Sequence, residues 1–356
     1  MEKSNTDFEE FDLTDTVPPK DIFAFNELRS CADLKRMYDK KQIDISPAFQ
    51  RNQVWKLTDQ VRFLDSLLKN LPIPSMCIGL DIDNNQRIVI DGLQRISTII
   101  RFLSIANHEQ EDLKLPLLND INENLSGKFI REIAENHPEI IETIENATIP
   151  ITILRCSLSN KSHMDYIFTI FHRLNTGGAK LNSQEIRNGI FNGEFSKFLT
   201  HISAQYEKEL STLLNQENKR FSFEEFILRF FAFNDRAEEY QSPLTRFLNE
   251  YMSDHKNATE VFLNQKNELL SKTINILKKG GLEEDSKSRV IADAILYGIS
   301  KNLSFLQDKD KDFLISCIKK MKDNEYFSAN ELQEGIFKTN KVKNRLEAAQ
   351  LAFSGV

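Results

Sequence analysis

No stretch of this 356-residue chain is apolar for long enough to cross a bilayer as a helix, and the N-terminus lacks the basic-then-apolar pattern of a secretory signal. A membrane role is not expected, and the expected location is cytoplasmic. Positive charge is not in excess either. Lys and Arg number 46 against 53 Asp and Glu, a net charge of −7, so the chain does not coat nucleic acid through bulk potential. Any DNA contact must come from a local basic site. Cysteine is scarce: Cys31, Cys77, Cys156 and Cys317 form no CxxC pair, which argues against a disulfide framework or a zinc site and for buried, reduced thiols. Tryptophan occurs once, at Trp55, whereas phenylalanine occurs 26 times.

What is present is enough apolar material, 40% of residues, for two cores. Residues 1–20 carry Glu2, Asp7, Glu9, Glu10, Asp12 and Asp15 and close on Pro18-Pro19, the composition of an acidic tail; Phe8, Phe11 and Leu13 leave open a docking role. Residues 21–191 mix strand and helix periodicities, and residues 192–356 are helical throughout. The expected class is therefore α+β, an α/β domain followed by an all-α domain.

The α/β part begins with a helix expected over Asn26–Lys40, with Leu28, Cys31, Leu34 and Met37 on one face. A short extended piece at Ile43–Ile45 comes next, and then Gln50 and Arg51 lie close to Trp55. Thr58 is the expected cap of the next helix, and Asn70, Pro72 and Pro74 end it. Ser75–Ile82 and Gln86–Ile90 read as a hairpin turned by Asp83-Asn84-Asn85. Further helices are expected at 93–106, near 119–136 and at 138–145, with a strand at Thr148–Leu154.

Chemistry concentrates in Arg87–Phe102, where the strand Ile88–Ile90 meets Asp91-Gly92 and turns at once into a helix with Ile96, Ile99, Ile100 and Leu103 at helical spacing. The first N–H groups of such a helix have no internal partner and sit at the positive end of its dipole, so the junction suits an anion. Gly92 lets phosphate oxygens approach the backbone, and Gln94 and Arg95 stand close by to hydrogen-bond them. Asp91 with Gln94 is equally a capping-box pattern that requires no ligand, with Arg95 solvated. A second stretch, Tyr166–Phe191, ends an apolar helix at His172-Arg173-Leu174, turns through Asn175-Thr176-Gly177-Gly178, and restarts at Asn182 or Ser183. Arg173, Asn175 and Arg187 bracket its glycines; an ordinary helix–loop–helix with surface arginines explains the same pattern. In the helical half, Phe221, Phe223, Phe226, Phe230, Phe231 and Phe233 are expected as core, and Gly280-Gly281 as a hinge or a C-cap.

Taken together, FQRNQVW at 49–55, LLKNLPIP at 67–74, VIDGLQR at 89–95 and FHRLNTGGAKLNSQEIRNG at 171–189 resemble the N-terminal domain of GmrSD-type restriction proteins, domain of unknown function 262, in the ParB/sulfiredoxin-like superfamily. The resemblance implies a nucleotide-phosphate site: Asp91, Gly92, Gln94 and Arg95 at its centre, Gln50 and Arg51 beside it, Arg173 and Asn175 closing it. It implies a nucleoside triphosphate as ligand, Mg²⁺ on Asp91, and Asp91 and Arg95 as catalytic residues of NTP hydrolysis or metal-dependent DNA cleavage in antiviral defence. DNA, modified or not, a separate nuclease subunit and a second copy of the chain are the implied partners. The alternative is a non-catalytic DNA- or protein-binding module that recruits a nuclease. Two departures stand out. Leu93 occupies a position where the family has Gln, and His255 is the last histidine, so residues 256–356 are not expected to form the HNH nuclease of fused members.

Overall fold

The computed structural model describes residues 19–45, 55–174, 182–281 and 288–355. The acidic tail falls almost wholly outside these residues. The chain divides into two compact units, Asp15–Leu181 and Asn182–Val356. The first is α+β and the second is all helical.

The first unit is built on one mixed sheet of β1 (Phe23–Ser30), β2 (Ile43–Asp44), β3 (Met76–Asp81), β4 (Arg87–Asp91) and β5 (Thr148–Cys156), in the order β1-β5-β3-β4-β2. β3 and β4 form the expected hairpin. Asn85 closes its turn at φ +62°, donating its N–H to Asp81 O at 2.9 Å. β5 runs parallel to β3 and antiparallel to β1, placing Met76 beside Ile151 and Ile78 beside Ile153. Side chains alternate across a strand, so these residues share one face with Val89. That face packs into a single core with α1 (Cys31–Asp39), α2 (Leu57–Leu68), α3 (Leu93–Ala106), α4 (Ile130–Asn136) and α5 (Pro138–Asn146). On the unit's last helix, α6 (Lys161–Leu174), Met164, Ile167, Phe168 and Phe171 are buried, and the helix packs against β4.

Three local expectations are corrected. Residues 26–30 are strand, because β1 completes a continuous antiparallel ladder with β5. Helix α1 starts only after Ser30, whose Oγ accepts the Asp33 N–H at 3.1 Å. Leu28, expected on the helix's buried face, is exposed. Thr58 is not a cap: α2 opens one residue before it, and the Asp59 carboxylate accepts the Lys56 N–H at 3.2 Å. Residues 119–129 are irregular, since Gly127 turns at φ +70° and the Ser126 side chain ties both backbone groups of Leu118.

The second unit opens with α7 (Ser183–Ile190), so Asn182–Phe191 packs with the helical half rather than with the preceding domain. Asn182 caps α7, accepting the Glu185 N–H at 2.8 Å while the Glu185 carboxylate accepts the Asn182 N–H at 2.7 Å. Then come α8 (Glu194–Gln205), α9 (Glu207–Leu214), α10 (Ser222–Arg236), α11 (Leu244–Asp254), α12 (Glu260–Gly280), α13 (Arg289–Lys301), α14 (Leu303–Leu306), α15 (Lys311–Lys322) and α16 (Thr339–Phe353). The phenylalanine stripe on α10 is core, as expected. Gly281 caps α12 at φ +61°, which settles Gly280-Gly281 as a C-cap. No helix among the described residues is long and apolar enough to cross a membrane.

Candidate functional site

The site forms where β4 ends. The register between β3 and β4 slips between Cys77 and Ile78, so Cys77 faces Asp91 while Ile78 faces Val89 and Ile90 is the extra residue. Such a bulge bends the strand end and re-aims the residues beyond it. Asp91 closes the strand and Gly92 starts the helix at φ +94°, ψ 12°, a left-handed backbone that L side chains rarely adopt. Space enforces the glycine as well: a Cβ here would lie 2.5 Å from Cγ and 2.7 Å from Sδ of Met76 on the neighbouring strand.

Gly92 is thus the N-cap of α3 and offers no side chain. The ladder begins with Ile96 N–H on Gly92 O at 3.0 Å, which leaves the N–H groups of Leu93, Gln94 and Arg95 ahead of it. The apolar stripe of α3, Ile96, Ile99, Ile100 and Leu103, is anchored in the core. The helix is therefore anchored in the core while its first turn is half-buried, and N–H groups ahead of a helical ladder can receive an oxyanion.

The Asp91–Gln94 capping box is not formed. The cap residue is one position later, and the Gln94 side chain is engaged elsewhere: its Oε1 accepts the Trp55 backbone N–H at 3.5 Å, and Gln60 Nε2 donates to Trp55 O at 3.2 Å. The Trp55 ring meets Phe63 edge-on with centroids 5.6 Å apart. Trp55 is thereby tied to the elbow through Gln94 and to α2 through Gln60 and Phe63.

Arg95 is not solvated. Its Nη2 lies 2.9 Å from Asp91 Oδ2 and 3.5 Å from Ser75 O, and its Nη1 donates to Pro74 O. Burial pushes the guanidinium below its usual pKa, and Asp91 acts in the opposite direction. One guanidinium thus joins three elements: the loop leading into β3, the end of β4 and the first turn of α3. Beside it, burial and the charge of Asp91 push the Cys77 thiol up to about 12, so it stays protonated.

Of the expected site residues, the structure brings together Asp91, Gly92, Gln94 and Arg95. Arg173 is exposed in the last turn of α6. Gln50, Arg51 and Asn175 lie outside the described residues. Arg187 is neither at a glycine loop nor on the surface. It is fully buried in the helical unit, with Nη2 2.8 Å from Glu225 Oε2 and Nε donating to Gln184 Oε1 at 2.9 Å. Leu93, where Gln was expected from the resemblance, packs against the core. Sequence reading missed Met76 beneath Gly92, Gln60 behind Trp55, and the carbonyls of Pro74 and Ser75 under Arg95. Long-range packing selects all of these, and no local pattern marks them. Among the described residues, no three His, Cys, Asp or Glu side chains gather as a metal cluster.

A mixed sheet whose hairpin runs through a glycine elbow into an apolar-striped helix defines an α+β domain, followed by a helical unit. Residues 34–192 match the family model described as GmrSD restriction endonuclease, N-terminal domain, and this segment belongs to that family. A domain of this family indicates a restriction-system component. The matched segment runs past Leu181, so it includes α7 of the helical unit. No curated protein and no solved structure matches the chain.

Proposed function

We propose that the Gly92 elbow grips the phosphates of a nucleoside triphosphate, and that the chain is an NTP-hydrolysing component of a bacterial anti-phage restriction system acting on or sensing DNA. The observation that carries this reading is the backbone at Gly92. Its left-handed conformation brings β4 directly onto the helix end and leaves three N–H groups ahead of the helical ladder, on a family background of restriction endonucleases. Phosphoryl transfer asks a protein mainly for positioning and positive charge. Arg51 precedes the Trp55 anchor by four positions, and together with Gln50, Arg173 and Asn175 it supplies the closing contacts of this proposal. Asp91 engages Arg95 through Oδ2, and a carboxylate has a second oxygen. One carboxylate plus substrate phosphates is a common way for Mg²⁺ to be held, so the site fits that ion. The ion would neutralise charge on the phosphates, with Asp91 as its protein ligand and Arg95 as the group facing the transferred phosphoryl.

The test is to incubate the purified full-length protein with each ribonucleoside triphosphate and magnesium, measuring bound nucleotide and released phosphate. Saturable binding with phosphate release supports the reading, and a folded protein that does neither overturns it.

One observation favours a second reading. Arg95 already ties two backbone carbonyls and Asp91, as a structural clasp would. On that reading the domain is a non-catalytic DNA- or protein-binding module that recruits a separate nuclease. DNA shifted equally with and without nucleotide, and no phosphate released, would select it.

A further inference from the structure

β1 is the outermost strand of the sheet, paired by β5 on one side and, among the described residues, by no strand on the other. Its ladder is unbroken from Phe23 opposite Arg155 to Ser30 opposite Thr148. Phe23, Phe25 and Leu28 are 63%, 45% and 69% exposed, three large apolar side chains on a single strand. FAFNELRS contains neither proline nor lysine, and no bulge twists the strand away; its only charged residues, Glu27 and Arg29, pair with each other.

The direction of its free backbone groups is set by ladder parity. Cys31 N–H donates to Ala147 O at 3.0 Å, which continues the β1–β5 register by one pair, so the odd-numbered residues of β1 direct N–H and C=O towards β5. Ala24, Asn26 and Leu28 direct theirs outward. Charge on the edge is balanced internally, since Arg29 Nε lies 2.8 Å from Glu27 Oε1.

We propose that β1 pairs antiparallel with β1 of a second copy of this chain, about a two-fold axis at Asn26, making one sheet continuous across a dimer. In that register Ala24 faces the partner's Leu28, and Asn26 faces the partner's Asn26, so these three residues complete their ladder bonds and only Ser30, at the strand end, stays outside the pairing. On the opposite face Phe23 meets the partner's Arg29, whose guanidinium is held by Glu27 and Asp33, and Phe25 meets the partner's Glu27, so an aromatic ring lies beside each charged residue and no like charges are opposed. The other outward-directed axes pair less of the strand: centring on Ala24 joins only residues 23–25, and centring on Leu28 joins only 26–30 and leaves Phe23 and Phe25 uncovered, whereas centring on Asn26 joins 23–29. A strand that is neutral overall and complementary to itself when reversed fits a second copy better than a charged partner.

Sedimentation velocity of the full-length protein over a concentration series is expected to show a monomer passing to a dimer. Ala24→Pro removes one outward N–H and leaves the β5 ladder intact, so it is expected to abolish the dimer with the far-ultraviolet spectrum unchanged. Asn26→Cys brings two thiols within disulfide reach across the axis, and because the four native cysteines are all buried, mild oxidation is expected to yield a covalent dimer. Should Ala24→Pro fail to fold, the Asn26→Cys cross-link decides. A monomer at every concentration overturns the proposal, whether another protein or a segment of this chain covers the strand. So does a dimer that resists Ala24→Pro or is not linked through Asn26→Cys.

Discussion

Asp91 and Arg95 close on each other across the first turn of α3, Oδ2 to Nη2 at 2.9 Å, and the same guanidinium ties down the backbone carbonyls of Pro74 and Ser75. The residue proposed to face phosphate is therefore also the clasp between the loop before β3 and the elbow. Ligand and scaffold share one side chain, and any variant there will report on both.

Arg95→Ala is expected to lower stability by about 2 kcal/mol, the scale for hydrogen bonds lost from a largely buried charged group. The loss is read from urea unfolding. Nucleotide binding, measured under conditions where the variant remains folded, is expected to vanish with it. Arg95→Lys keeps the charge but not the planar fork, and is expected to regain only part of either property. A variant with wild-type stability and wild-type binding would remove Arg95 from both roles.

Gly92→Ala forces a methyl group into a left-handed backbone and against Met76, and is expected to cost about 2–4 kcal/mol. Shortening Met76 to Ala removes the contacts with Cγ and Sδ, but Met76 Cβ stays 2.9 Å from the added methyl and the backbone strain remains, so the relief is partial. The double variant is thus expected to be more stable than the sum of the single effects predicts, a coupling that thermal melts of the four proteins would detect. Strict additivity would show that Met76 does not enforce the glycine.

In the helical unit, Arg187→Met leaves Glu225 buried without its close partner and is expected to destabilise by about 3–5 kcal/mol. Replacing both residues with apolar ones of similar size is expected to recover much of that loss. Near-ultraviolet circular dichroism during urea titration of the single and double variants checks it.

Asp293 is buried beside Arg229 on the neighbouring helix, with Arg289 and Arg345 also facing it. Burial outweighs the three arginines and raises its pKa from 3.8 to about 6. The folded state then holds a proton that the unfolded chain releases at lower pH. The stability this supplies is complete below the unfolded value and is lost as pH rises through about 6. Asp293→Asn carries no titrating proton, so its stability relative to wild type is expected to improve progressively between pH 4 and 6 and level off above. Urea midpoints of the two proteins at stepped pH provide the comparison. A constant difference across that window would contradict a raised pKa.

Periodicity alone determined much of this protein. The β3–β4 hairpin, the elbow at Asp91-Gly92, helix 93–106 and the phenylalanine core of α10 are visible in the sequence, because each is specified by residues within one or two turns of each other. The tertiary structure decided what depends on distant partners. Residues 26–30 are a strand because β5, more than a hundred positions away, offers them a ladder that local helical spacing does not reveal. Arg187 looks like a loop cation in sequence and is a core residue in space, since Glu225 lies on another helix. Arg95 and Gln94 were legible as polar groups at a helix start, yet their present partners, Pro74, Ser75 and Trp55, are set by how strand and helix pack. A hydrogen bond formed across tens of residues leaves no period in the chain that makes it.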